Sequence, residues 1–148
     1  MDKYSKINKQ AHLGELKAIE YFIKNGFEVY KQYTGKESID LVTIKDYKVY
    51  RVECKSTARR SKCRAAWVVK ICKTRHNSKG YREITFDQWK ENVDIISVYI
   101  EPIDYLLLYH KDEIRSKYRY TIKDEIIEVR NNDNCFKYEI FNNNVEEE

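Results

Sequence analysis

Residues 39 to 57, IDLVTIKDYKVYRVECKST, limit the possible folds more than any other stretch, because two runs of alternating apolar residues flank KDYK in the pattern of an antiparallel hairpin. With Lys45 opposite Lys48, Leu41 faces Val52 and Ile39 faces Cys54. Asp40 then falls opposite Glu53. Directly opposite side chains have Cβ atoms about 5 Å apart, and like charges there are destabilising unless something positive lies between them. Lys55, two residues on, points to the same face as Glu53. Tyr47 suits a tight primed turn poorly, and a slip of one residue would separate the two carboxylates, so both registers stay open.

The chain has 148 residues, of which 42% are hydrophobic and 35% charged, a balance that excludes disorder and allows one core. A single domain is expected over residues 1–141, with its core at about 7–110, a C-terminal strand extension at about 111–141 and an acidic, disordered tail at 142–148. No apolar run reaches the roughly 18 residues of a membrane span, and MDKYSKINKQ lacks a signal segment, so neither membrane insertion nor secretion is expected. Cys54, Cys63, Cys72 and Cys135 contain no C-x-x-C pair, which favours free thiols over zinc or disulfides.

The formal net charge of +4 hides an uneven distribution. Between Glu53 and Glu83 the sequence has ten cations, Lys55, Arg59, Arg60, Lys62, Arg64, Lys70, Lys73, Arg75, Lys79 and Arg82, and no acid. A solvated face is one explanation, but an acid-free run this long in a chain rich in Asp and Glu favours a polyanion partner.

Helical spacing of Leu16, Ile19, Phe22 and Ile23 predicts a helix over about 7–25, ending at Asn25 and Gly26. Strands are expected at about 27–33, 39–44, 48–55 and 64–71. A capping box, TFDQ, opens a short helix; VDIISVYIE and DYLLLYH form a buried pair; and KYRYTI, EIIEVR and CFKYEIF are later strands. Glu15 heads the apolar stripe of the helix and points toward the core, whereas Glu20 sits off it and can pair with Lys24. A carboxylate at a helix start also favours the macrodipole, a sufficient reason on its own.

A hard divalent cation needs a small group of carboxylate oxygens, and Asp40, Glu53 and Glu15 offer one, with the Cys54 carbonyl aimed at the same ion. Such an ion lowers the pKa of its water and neutralises charge on a phosphodiester, while Lys55 steadies the attacking water or the developing charge. A salt-bridged patch on a solvated sheet face is the competing explanation.

GEL on the helix, SIDLV, YRVECKST and the later RHNSKGYREITFDQWKENVDIISVYI follow the order seen in the PD-(D/E)XK nuclease superfamily. Over residues 11 to 110 the chain resembles its small endonucleases associated with mobile group I introns. The glutamate twelve residues before Phe27 also resembles the archaeal Holliday-junction resolvases. The resemblance implies an α/β, restriction-endonuclease-like mixed sheet flanked by helices, here with extra C-terminal strands. It implies a DNA endonuclease using Mg²⁺, with Mn²⁺ able to substitute. Asp40, Glu53, Glu15 and the Cys54 carbonyl would be metal ligands, Glu15, Asp40, Glu53 and Lys55 the catalytic set, and Arg59, Arg60, Lys62, Arg64, Lys73, Arg75, Lys79 and Arg82 the DNA contacts.

The chain departs from the pattern at Ile39, where the superfamily has its naming proline, and at Glu53, where many intron-type relatives have glutamine. A homodimer or dimer of dimers is expected, because one site cuts one strand. The expected location is the cytoplasm or the DNA-containing compartment of the host. A junction resolvase and a DNA-binding protein without catalysis are the alternatives. His12 could touch the site and His76 a phosphate, while Trp67 and Trp89 are expected in the core.

Overall fold

A computed structural model describes residues 3–33, 39–62, 65–71, 74–77, 80–83, 86–115 and 118–138. In chain order the elements are α1 (Lys3–Lys24), β1 (Glu28–Lys31), β2 (Leu41–Lys45), β3 (Lys48–Thr57), β4 (Ala66–Lys70), β5 (Thr74–Asn77), β6 (Gly80–Glu83), α2 (Phe86–Asn92), β7 (Ile95–Ile100), β8 (Tyr105–His110), β9 (Arg119–Lys123) and α3 (Asp124–Ile127). The main sheet runs β1-β2-β3-β7-β8, with β4 beside β9 and β5 beside β6 as separate two-stranded sheets. Only the β3–β7 pair is parallel in the main sheet; the other neighbours are antiparallel, so the sheet is mixed. Among the described residues no helix is long and apolar enough to cross a membrane.

The hairpin adopts the register that puts Leu41 opposite Val52 and Lys45 opposite Lys48. Its turn residues, Asp46 and Tyr47, have φ of 52° and 65°, the left-handed pair of a type I′ turn. Tyr47 accepts that conformation at a cost of about 1–2 kcal/mol, because the primed turn matches the twist of the strands it joins.

Both faces of the sheet are covered. On one face Ala18 and Phe22 of α1 pack against Leu41, Val52, Ile95 and Leu108. On the other, Trp67, Val69, Ile122 and Trp89 pack against Ile96, Val98, Ile100 and Leu107. All six residues of β7 are therefore buried, as expected for a strand between two layers. The apolar segments Ile95–Ile100 and Leu107–Leu108 thus lie in the protomer core.

Two sequence expectations are corrected. The first is the buried stripe of α1, in which Leu16 and Ile23 are each 61% exposed and the helix instead buries Gly14, Ala18 and Phe22. Close approach explains this: a Cβ on Gly14 would lie 1.9 Å from Ser56 Oγ and 3.3 Å from Tyr99 Cβ, so only a small residue lets the helix seat there. The second concerns EIIEVR and CFKYEIF, expected as strands: the first overlaps α3 and the second the end of a 3₁₀ turn at Asn132–Phe136, while residues 139–141 and the expected acidic tail lie outside the described residues. The edge of β8 has no need of another strand. Asn132 Oδ1 accepts from Leu108 N at 3.0 Å, Asn132 Nδ2 donates to Leu106 O at 3.1 Å, and Arg130 donates to Leu108 O at 2.7 Å. The C-terminal extension contributes one strand, β9, to the described residues. The capping residue Thr85 lies outside them, and α2 starts at Phe86.

Candidate active site

Strand alternation puts Glu53 and Lys55 on the face of β3 opposite to Val52, Cys54 and Ser56, toward α2. Glu53 is only 8% exposed. Its Oε1 lies 2.9 Å from Lys55 Nζ, and its Oε2 accepts a 2.6 Å hydrogen bond from Trp89 Nε1 on α2. A buried carboxylate is tolerable only with such partners, and one of these two is a charge.

Asp40 sits one step beyond the last β2–β3 pair, where its backbone N–H donates to Val52 O at 3.0 Å. Its Oδ2 accepts from the Cys54 backbone N–H at 2.7 Å. Burial pushes the Asp40 carboxyl above the usual range, and the Glu53 and Glu15 charges push the same way, against the Cys54 N–H and Lys55. Asp40 thus feels the other three charges read from the sequence, Glu15, Glu53 and Lys55. By strand geometry the Cys54 carbonyl lies on the same side of β3 as its N–H, toward Asp40. The Cys54 thiol points to the α1 face, where burial raises its pKa.

Glu15 reaches this neighbourhood from α1. Its Oε1 is shielded from solvent and, although Lys31 Nζ lies 3.0 Å away, receives no hydrogen bond among the described residues. His12, also on α1, is exposed.

The arrangement is looser than the cluster expected from the sequence: among the described residues no three His, Cys, Asp or Glu side chains converge as a metal cage. Lys55 holds one of the two Glu53 oxygens at 2.9 Å. The donor set nevertheless fits a hard cation. Glu15 Oε1, paired with Lys31 but without a hydrogen bond among the described residues, and an Asp40 carboxyl raised first by burial and then by neighbouring negative charge, would both gain from a cation placed between them.

Of the expected DNA contacts, Arg59 and Lys62 are exposed and carry no ion pair among the described residues. Arg60 is differently placed. It makes a two-pronged pair with Asp124, at 2.7 and 2.9 Å, and its guanidinium lies 4.5 Å from the centre of the Trp67 ring. Arg75 and Arg82 face each other as backbone partners of β5 and β6. Their side chains, that of His76, and Arg64, Lys73 and Lys79 altogether lie outside the described residues.

Trp89 is the site residue that sequence reasoning missed. Expected in the core, it is there, but its N–H ends on Glu53. The available signal was general: a buried tryptophan must find an acceptor, and a buried glutamate must find donors.

A family model described as PD-(D/E)XK endonuclease matches residues 6–140. The chain belongs to the PD-(D/E)XK endonuclease family. The family model spans the whole of this site, from Glu15 to Trp89, so the PD-(D/E)XK resemblance drawn from residues 11–110 extends through β9 and α3. The endonuclease is also similar in fold to a solved bacterial homing endonuclease, I-Ssp6803I, with a TM-score of 0.66 and 20% identity over 79% of this chain and 78% of that one. No curated protein matches it.

Proposed function

We propose that this endonuclease is a metal-dependent DNA-cutting enzyme of the homing type. One observation supports the reading: Glu53 and Lys55 pair at 2.9 Å on β3, and Asp40, just before β2 on the other arm of the hairpin, lies within electrostatic reach of both and of Glu15 on α1, in a family of endonucleases. Asp40, Glu15, Glu53 and the Cys54 carbonyl would hold Mg²⁺, or Mn²⁺ in its place. When bound, the ion lowers the pKa of a water and offsets phosphate charge. Lys55, released from Glu53, would hold the attacking water or neutralise charge on the phosphate oxygens. Asp40, fixed by the Cys54 N–H, would keep its second oxygen turned to the reaction. Likeness of fold to a homing endonuclease supports that role over junction resolution.

DNA would be held by the exposed cations that follow β3, Arg59 and Lys62 among them. A double-strand break calls for two such sites, so the working form would be a symmetric dimer, or a dimer of dimers. Its interface cannot use Ile95–Ile100, which is buried within one copy.

The test is cleavage of plasmid and of a four-way junction, with Mg²⁺ and with EDTA. Asp40→Ala and Lys55→Ala are expected to reduce cleavage at least a hundredfold while DNA binding stays measurable, because phosphate affinity resides mainly in the basic residues. Wild-type cleavage rates in Asp40→Ala would sink the reading, and preferential junction cutting would replace homing by resolution.

A further inference from the structure

We infer that Trp89 is a positioning residue that fixes one oxygen of Glu53 so that only the other is free to exchange between Lys55 and a divalent cation. The inference rests on the reading of Glu53 as a metal ligand and adds a part to it.

The two donors on Glu53 differ in kind. Lys55 offers a charged ammonium at 2.9 Å from Oε1, and Trp89 a neutral indole N–H at 2.6 Å from Oε2. A cation brought to Glu53 repels the ammonium strongly and the neutral indole hardly at all. The indole can only donate, so it has no lone pair with which to compete for the cation. Exchange at Glu53 would therefore be confined to Oε1, and Lys55, once displaced, would be free to act on the phosphate or its attacking water.

Trp89 is itself held in place. It is 5% exposed, its ring stacks on Phe86 at 5.7 Å and 9°, and it shares a core with Val98, Ile100 and Trp67. Phe86 in turn lies beneath Lys90, whose Nζ is 4.5 Å from the ring centre. A donor locked by packing can orient a ligand, because the carboxylate plane cannot turn without breaking a short hydrogen bond in a dry interior.

The chain has two tryptophans, so its two indole N–H resonances can be told apart with ¹⁵N-labelled protein and Trp89→Phe. In the wild type the Trp89 resonance is expected downfield. It should move in Glu53→Gln and on addition of Mg²⁺, with that of Trp67 unchanged. Trp89→Phe should fold, and by calorimetry should bind Mg²⁺ roughly 10-fold to 100-fold more weakly, the loss typical when a partner of a metal ligand is removed. If Trp89→Phe fails to fold, the Glu53→Gln and Mg²⁺ shifts of the wild-type indole decide alone. An indole resonance indifferent to both, or a folded Trp89→Phe with wild-type Mg²⁺ affinity, overturns the inference and leaves the nuclease reading intact. A wild type that binds no Mg²⁺ and cuts no DNA overturns both.

Discussion

At Gly14 a single missing methyl group decides how α1 meets the sheet. The backbone conformation there is ordinary helix, so the requirement is one of space and not of φ. A Cβ would collide with Ser56 Oγ, which itself donates to Gln10 O at 3.1 Å, and would press on Ser56 Cβ and Tyr99 Cβ at 3.3 Å. Gly14→Ala gains helix propensity of up to about 1 kcal/mol but must push the helix off β3 and β7, and overpacking of this kind costs about 1–3 kcal/mol. Net destabilisation is expected. The shift also moves Glu15, the adjacent residue, so activity should fall more than the loss of folded protein explains. Thermal melting and cleavage rate, compared between Gly14→Ala and Gly14→Ala with Ser56→Ala, check this, because removing the Ser56 hydroxyl should return part of both.

Between elements, the parallel pair β3–β7 is the join on which the site depends, since one strand carries Glu53 and Lys55 and the other follows the helix that carries Trp89. Arg51 and Asp94 clamp its start. Asp94 Oδ2 accepts from Arg51 N at 2.8 Å and Nε at 3.0 Å, Oδ1 accepts from Nη2 at 3.1 Å, and Asp94 N donates to Arg51 O at 2.9 Å. Burial would raise the Asp94 pKa, but the Arg51 hydrogen bonds outweigh it and hold the carboxyl below the usual range. A carboxyl depressed in the folded state stabilises above its unfolded pKa, about 3.9, and that contribution disappears as pH falls through the lower folded value. Asp94→Asn should therefore cost about 1–3 kcal/mol at neutral pH, as charge-assisted hydrogen bonds do. Urea unfolding of both proteins from pH 7 to pH 3 should show the gap closing below pH 4; a gap independent of pH would mean that the carboxylate charge is immaterial. The sequence made some of these elements legible and hid others for physical reasons. Period-two alternation around KDYK offered the β2–β3 register that the hairpin adopts, with Leu41 opposite Val52, but left a one-residue slip open because Tyr47 suits the primed turn poorly. The phase of α1 was legible in part: Ile19 and Phe22 face the core as read, but Leu16 and Ile23 do not, because the closest contact is made by Gly14 and Ala18, small residues that a pattern of large apolar ones cannot report. The C-terminal region was not legible: there Asn132 and Arg130 side chains finish the β8 edge in place of a strand. In the site, Glu15, Asp40, Glu53 and Lys55 were visible as charges where apolar residues were due. Trp89 was not, since its part depends on a contact across 36 positions.

For the whole molecule the question is which of its cations are available to a polyanion. The run after Glu53 was uniform as a sequence, but its members are used differently once folded. Arg60 is committed to Asp124 and Trp67 and joins the segment after β3 to the start of α3. Arg59 and Lys62 point to solvent with no ion pair among the described residues. Counterion release makes this difference measurable, because each phosphate that a protein neutralises adds about 0.9 to the slope of log affinity against log salt. Arg59→Ala and Lys62→Ala should each weaken DNA binding to all sequences alike and flatten that slope by roughly one, with melting temperature little changed. Arg60→Ala should do the reverse, lowering the melting temperature while leaving the slope near that of the wild type. The opposite assignment, a flattened slope for Arg60→Ala with unchanged slopes for the other two, would mean that the Asp124 pair opens on DNA and that the exposed cations face away from it.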